Sequence, residues 1–96
     1  MDDEELMREI LAVLMDDTSA HIDKLESAVR ESDSRLCVRL AHYCKGACGN
    51  VGANATAALF KDIEQQAGNS EFQRCTASLT ALATEMERLR AEVEAF

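Results

Sequence analysis

The sequence predicts an all-α protein folded as an antiparallel up-and-down four-helix bundle. The 96 residues contain no proline and only 4% aromatic residues, and they are rich in alanine and leucine, which favours helix throughout. Apolar residues recur at spacings of three and four in successive segments, and short breaks separate these segments. Helices joined by short connections pack as antiparallel neighbours. We expect residues 1–96 to form one domain with a modest core, because a chain this short buries only about 60–65% of its unfolded surface.

The first predicted helix covers residues 3–31. Acidic residues at its start suit the positive end of a helix dipole. The pair Asp16-Asp17 marks a place where this helix could break. Its apolar positions, spaced three and four apart, are Leu11, Leu14, Thr18, Ile22, Leu25 and Val29.

The second predicted helix follows a short polar break. Ser32 or Asp33 can cap its N-terminus, because both side chains accept hydrogen bonds from free backbone N–H groups. The helix should run to about Val51, where Gly52 supplies a C-terminal stop.

The third predicted helix covers residues 53–67 and ends at Gly68. Ser70 and Gln73 have the spacing of a capping box, which places the start of the fourth helix there. One apolar stripe runs along the fourth helix through Phe72, Cys75, Leu79, Leu82, Met86, Leu89 and Val93.

Charge and hydropathy argue against a membrane protein, a secreted protein and a nucleic-acid-binding protein. No apolar run reaches the length of about 18 residues that a membrane helix needs, and the acidic start MDDEEL does not resemble a signal peptide. We therefore expect a cytoplasmic protein without a membrane partner. The net charge of −8 argues against nucleic acid, because phosphate binding needs a basic surface.

Four cysteines occupy apolar helix positions. In a chain that does not look secreted, we expect Cys37, Cys44, Cys48 and Cys75 to be reduced and buried as small hydrophobic residues rather than paired in disulfides.

The charge of the chain is unevenly distributed. Residues 34–61 contain no acidic residue, while Arg35, Arg39, Lys45 and Lys61 give this segment a charge of +4. The remainder of the chain therefore carries −12. A basic segment in an acidic protein marks the second helix as a candidate for binding an anionic partner.

One histidine lies in the middle of this basic segment, opposite the core side of the second helix. At about 100° per residue, the core side holds Leu36, Cys37, Leu40, Ala41, Cys44, Ala47, Cys48 and Val51. The side of His42 holds Arg35, Val38, Arg39, Lys45, Gly46 and Gly49. An interior glycine costs a helix about 0.5–1 kcal/mol relative to alanine. Gly46 and Gly49, at i+4 and i+7 from His42, would leave the imidazole open to a bulky partner.

An open imidazole beside a lysine suits phosphoryl chemistry. A surface histidine with no carboxylate near it in its own helix can present a neutral ring nitrogen as a nucleophile. Lys45, three residues after His42, could partly offset the charge of a phosphoryl group on that nitrogen.

These residues resemble the histidine-containing phosphotransfer (HPt) domains, whose signature is H-x-x-K-G-x-x-x-N-x-G-A. The matching residues here are His42, Lys45, Gly46, Asn50, Gly52 and Ala53. The resemblance extends to Leu25, Ala28, Arg39, Ala41, Leu59, Ile63 and Glu64. It covers nearly the whole chain and implies the same four-helix fold.

The resemblance also implies a function. His42 would accept a phosphoryl group from an aspartate of one receiver domain and pass it to an aspartate of another, as a phosphorelay intermediate in two-component signalling. The partners would be receiver domains of a hybrid histidine kinase and a response regulator, and Arg35, Val38 and Arg39 are candidate partner-binding residues. The domain would have no kinase activity and no cofactor of its own, because the magnesium ion belongs to the receiver. We expect a monomer.

Three other functions are open on the sequence. The chain could be the phosphotransfer domain of a chemotaxis-type histidine kinase, which receives phosphate from an ATP-binding domain, or a helical interaction module that is never phosphorylated. Metal binding by His42, Cys44 and Cys48 is disfavoured, since His42 points about 140° away from the midpoint of the two cysteines. The other histidine, His21, is expected to be a surface or boundary residue.

The third helix should supply a neighbour for the imidazole. We consider Lys61, Asp62 and Gln65 as candidates.

Overall fold

The computed structural model describes residues 2–95, which form four α-helices. They are α1 (Asp3–Arg30), α2 (Ser34–Asn50), α3 (Asn54–Gly68) and α4 (Phe72–Ala95), and there is no strand among them. Each helix packs against the next one along the chain, and α4 returns to pack against α1. The predicted all-α four-helix bundle is confirmed. None of the described helices combines the length and the apolar character that crossing a membrane requires.

The first helix is long and continuous. A side-chain oxygen of Asp2 accepts a hydrogen bond from the backbone N–H of Glu5 at 2.8 Å and caps the helix. The helix passes through Asp16-Asp17 without interruption, so the break considered there does not occur. Its 28 residues span about 42 Å at 1.5 Å per residue.

The three connections between the helices are built in the same way. Each is three residues long, and its middle residue adopts a left-handed backbone conformation. These middle residues are Ser32 (φ 55°), Gly52 (φ 79°) and Ser70 (φ 58°). In each connection the next N–H donates to the carbonyl five residues back, from Asp33 to Ala28, Ala53 to Cys48 and Glu71 to Gln66. This is the Schellman pattern of helix termination, and it turns the chain sharply enough for antiparallel packing.

Two capping predictions have different outcomes. Asp33 caps α2, because its Oδ1 accepts a hydrogen bond from the N–H of Leu36 at 3.1 Å. The predicted capping box of Ser70 and Gln73 is wrong. A cap residue directly precedes the first helical residue, whereas Ser70 lies two residues before Phe72 in the left-handed turn that ends α3.

The core is built from one face of each helix. Its largest fully buried apolar side chains are Leu25, Phe60, Ile63 and Leu82. The predicted stripe of α4 is buried or half-buried along its whole length. The prediction that Val51 lies on the core side of α2 is wrong. Val51 follows the last residue of α2 and is exposed.

All four cysteines are buried and free. Burial raises the pKa of the Cys37 thiol to about 11 and that of Cys44 to about 12. It also raises the pKa of Cys48 and Cys75. The thiolate is the reactive form of cysteine, so these side chains serve as packing residues at neutral pH.

Candidate functional site

A row of five residues follows the exposed crest of α2. The row consists of Arg35, Arg39, His42, Gly46 and Gly49. Spacings of three and four keep these residues on one side of the helix over about 21 Å. The two arginines occupy the N-terminal half of the row and the two glycines the C-terminal half. Between them the side chain of His42 is 70% exposed, so the predicted orientation away from the core is found in the structure.

The two glycines of the row are not explained by close packing. A Cβ atom built at Gly46 or at Gly49 would meet nothing within 4 Å. Both residues are helical, so neither requires the left-handed conformation that favours glycine. What they provide is empty space on the C-terminal side of the imidazole.

A carboxylate from α3 connects His42 and Lys45. Oε2 of Glu64 lies 2.7 Å from Nδ1 of His42, and Oε1 of the same carboxylate lies 2.8 Å from Nζ of Lys45. Glu64 is half-buried, with its side chain 20% exposed, and its two contacts hold the carboxylate between α2 and α3. Each carboxylate oxygen therefore has its own partner on α2.

The charges in this group decide which ring nitrogen of His42 carries the hydrogen. The hydrogen bond from Lys45 lowers the pKa of the Glu64 carboxyl group, and the hydrogen bond to His42 adds to this effect against the opposing influence of partial burial. An ionised carboxylate can only accept hydrogen bonds, so Nδ1 of His42 must carry the hydrogen and donate it. In the neutral ring the lone pair then resides on Nε2.

The sequence left the third-helix neighbour of the imidazole open among three candidates, and none of the three makes the contact. Lys61, Asp62 and Gln65 are all exposed, and Glu64 makes the contact instead. The periodicity of α3 contains a signal for this position. Glu64 follows the buried Ile63 and lies about 70° from the centre of the buried face, whereas the three candidates lie more than about 110° from it. A polar residue at the edge of a buried face is the one that reaches a neighbouring helix.

The family model described as "Hpt domain" matches residues 9–92. The chain belongs to this family. It is also similar to the crystal structure of histidine-containing phosphotransfer protein B (HptB) from Pseudomonas aeruginosa PAO1. That similarity has a TM-score of 0.89 and 25% sequence identity, and it covers 97% of this chain and 81% of the other. No curated protein matches the chain significantly.

Membership of the Hpt family gives the function at a general level. Hpt domains are phosphocarriers that work with receiver domains, and this domain is a phosphorelay intermediate in two-component signalling. The sequence-based predictions of family and function are confirmed at this level.

The candidate partner-binding residues of the Hpt domain differ in exposure. Arg35 and Arg39 are exposed and form no ion pair within residues 2–95. Val38 is half-buried and packs against the core, and its Cγ2 would lie 3.9 Å from a Cβ atom at Gly68 of α3. The two arginines are therefore free to meet an anionic partner, while part of Val38 is already in contact with the bundle.

The second histidine of the Hpt domain lies in a different group. Nδ1 of His21 lies 2.8 Å from the main-chain oxygen of Asp17, and the hydroxyl of Tyr43 donates to Oδ2 of Asp17 at 2.8 Å. The rings of His21 and Tyr43 stack with their centroids 4.4 Å apart. The hydrogen bond to Asp17 raises the pKa of the Tyr43 hydroxyl. This group joins α1 to α2, beside the exposed row of α2 that contains His42.

Metal binding was the rival interpretation of His42 and the cysteines. Within residues 2–95 no three His, Cys, Asp or Glu side chains come together as a metal site. Cys44 and Cys48 are buried in the core while His42 is exposed, so the structure separates the three side chains.

Proposed function

We propose that His42 is the residue that carries the phosphoryl group. The observation that supports this most directly is the contact between Nδ1 of His42 and the carboxylate of Glu64. This contact holds a hydrogen on Nδ1 and leaves the lone pair of Nε2 available on an exposed ring. His42 thus combines a nucleophilic nitrogen with room for a partner protein.

The transfer needs no proton shuttle. The Nε2 lone pair forms a bond to the phosphorus of a phosphorylated receiver aspartate, and the bond from phosphorus to the aspartate oxygen breaks with its electron pair. The receiver carboxylate is released and the imidazole becomes cationic. In the second half-reaction a carboxylate oxygen of another receiver attacks the phosphorus, and the bond to Nε2 breaks.

Glu64 stabilises the cationic ring that this chemistry produces. Its carboxylate contacts Nδ1 at 2.7 Å, so a negative charge already lies where positive charge develops. Lys45 holds the other oxygen of the carboxylate and keeps Glu64 ionised. We propose that Lys45 acts through Glu64 before transfer, and that it would have to leave Glu64 to pair with a bound phosphoryl group.

The crest of α2 supports receiver domains as partners. Arg35 and Arg39 would face the acidic surface that surrounds a phosphorylatable aspartate, and Gly46 and Gly49 would allow close approach. We propose that the donor is the receiver of a hybrid histidine kinase and that the acceptor is the receiver of a response regulator. The domain acts as a monomer, without kinase activity or a cofactor of its own, and the magnesium ion is held by the receiver.

A labelling experiment tests this proposal. The protein is incubated with a receiver domain that carries radioactive phosphate on its aspartate, and the label on the Hpt domain is then tested in acid and in base. A phosphohistidine is lost in acid and survives in base. Label that survives in acid, or label acquired from ATP in the absence of any partner, would contradict the proposal.

A further inference from the structure

Three large apolar side chains form an exposed row at the start of α1, away from the crest of α2. The row consists of Leu6, Ile10 and Val13, at spacings that place them on one side of the helix. Leu6 and Ile10 are close to half exposed, and Val13 is 68% exposed. Exposed apolar residues are common singly, but three in succession on one helix face indicate an interaction surface.

The row is exposed because α1 is longer than the helix beside it. The 28 residues of α1 span about 42 Å and the 17 residues of α2 about 26 Å. The two helices are joined at the C-terminal end of α1, so its N-terminal part extends about 16 Å beyond the end of α2. The contact between Asp17 and Tyr43 bounds the row on its C-terminal side. The row thus lies where α2 would continue if it were longer.

A row of acidic residues borders the apolar row. Glu5, Glu9 and Asp16 lie on the adjoining strip of α1, and none of them forms an ion pair within residues 2–95. Arg8, the only basic residue of residues 2–16, lies on the side of the helix opposite the apolar row. Glu5 and Glu9 are like charges four residues apart, a spacing that destabilises a helix, so cations placed against this strip would be stabilising.

We propose that this surface binds an amphipathic helix of a partner protein whose apolar stripe is bordered by Lys or Arg residues. The partner helix would lie along α1 in the place where α2 has ended, with its apolar stripe on Leu6, Ile10 and Val13. Its basic residues would face Glu5, Glu9 and Asp16. A second copy of this chain fits less well, because it would bring one acidic row against another. This binding is separate from phosphotransfer and does not rest on the role proposed for His42.

The experiment uses the whole domain and two synthetic 18-residue peptides made of leucine and lysine. One peptide has its leucines on one helix face bordered by lysines, and the other has the same composition in an order without a stripe. We expect the first peptide to shift the amide NMR signals of residues 5–16 and to leave residues 34–50 unchanged. The peptide without a stripe should bind at least about tenfold more weakly.

Matched variants show whether the row itself makes the contact. Ile10→Gln should weaken binding of the first peptide by about tenfold, and Glu9→Gln should reduce the salt dependence of the binding. Ala77→Gln is the control, because Ala77 is exposed on α4 at the end of the bundle that holds the C-terminus of α1. Should Ile10→Gln disturb the fold, Val13→Gln provides the same test at the more exposed position.

Three results would overturn the proposal. Equal binding of the two peptides would show that charge alone attracts them. A dimer in sedimentation that disappears in Ile10→Gln would show that a second copy covers the row. Slower phosphotransfer by a folded Ile10→Gln protein in the absence of any peptide would make the row part of the receiver interface.

Discussion

The two histidines of this domain share one feature and differ in the others. In both rings Nδ1 faces an oxygen acceptor, at 2.7 Å in His42 and at 2.8 Å in His21. The acceptor of His42 is the carboxylate of Glu64, whereas the acceptor of His21 is the main-chain oxygen of Asp17. In the neutral form of either ring, the unprotonated nitrogen is therefore Nε2. Tautomer alone does not distinguish a phosphorylated histidine from a structural one.

Access and charge distinguish the two rings. The side chain of His42 is 70% exposed and has empty space beside it at Gly46, whereas His21 is 20% exposed and one face of its ring is stacked on Tyr43. A carboxylate contacts Nδ1 of His42 directly, whereas the carboxylate of Asp17 is 3.6 Å from Nδ1 of His21 and binds Tyr43. The comparison indicates that a phosphoryl carrier needs an open approach and a charge fixed against the ring.

Replacing each histidine in turn should give the largest difference. His42→Gln should abolish labelling by a phosphorylated receiver and leave the helical circular dichroism signal intact, because an exposed side chain is removed. His21→Gln should keep the transfer rate within about twofold, since it removes a part-buried hydrogen bond to Asp17 and the stacking on Tyr43, neither of which involves the imidazole of His42. Phosphate on the His42→Gln protein would show that the comparison is wrong.

Removal of the carboxylate should give the next largest effect. Glu64→Ala should slow transfer by about tenfold, equivalent to about 1.4 kcal/mol of transition-state stabilisation. Glu64→Gln should retain part of the rate, because its amide oxygen can still accept the Nδ1 hydrogen bond. The control is Asp62→Asn, which alters an exposed acid on the same helix. If Glu64→Ala and Glu64→Gln both transferred at the parent rate, as the control should, the charge on Glu64 would have no role.

Substitutions of Gly46, beside His42, should change stability and transfer rate in different directions. Gly46→Ala should raise the free energy of unfolding by up to about 1 kcal/mol, because a helical position with open space gains a better helix former. Gly46→Gln should slow transfer severalfold without lowering the melting temperature, since its side chain occupies the approach to the ring. Ala77→Gln, at an exposed position of α4, is the control. Parent-like transfer by Gly46→Gln would refute the clearance argument.

Lys45→Ala should slow transfer less than Glu64→Ala and should change the pH dependence of stability. Lys45 lowers the pKa of Glu64 in the folded state, so their contact stabilises the fold above the ordinary pKa of glutamate, about 4.3. This contribution is lost as the pH falls through the lowered pKa. Melting curves of the parent and Lys45→Ala should therefore differ at pH 7 and converge in acid. A difference that stays constant with pH would assign Lys45 a role independent of Glu64.

The smallest effect on transfer is expected for Tyr43, whose ring stacks on that of His21. Tyr43→Phe removes the hydrogen bond to Asp17 and should lower the free energy of unfolding only slightly, because this hydrogen bond is exposed to solvent. The transfer rate should not change, because Tyr43 hydrogen-bonds to Asp17 and stacks on His21, whereas the imidazole of His42 hydrogen-bonds to Glu64. Chemical denaturation and a transfer time course on the same protein would measure both quantities. A slower transfer at unchanged stability would connect this group to the reaction.

The sequence by itself determined the number of helices, the residues near which they end and the side of α2 on which His42 lies. These features depend on local rules. Apolar spacing sets the buried face of each helix, and Asp33 and Gly52 act on their own backbone neighbours. Leucine, cysteine and histidine positions on one helix keep the same angular relation in any fold that contains that helix.

Tertiary structure decided which residue of α3 meets the imidazole. The number of residues between His42 and Glu64 does not predict this contact. The contact depends on how α3 is rotated and shifted against α2. A shift of one residue turns a helix by about 100° and would exchange Glu64 for an exposed neighbour such as Gln65. Packing of Phe60 and Ile63 in the core fixes that rotation. The nucleophile could be found in the sequence because its exposure is a property of one helix, whereas its carboxylate partner is a property of two.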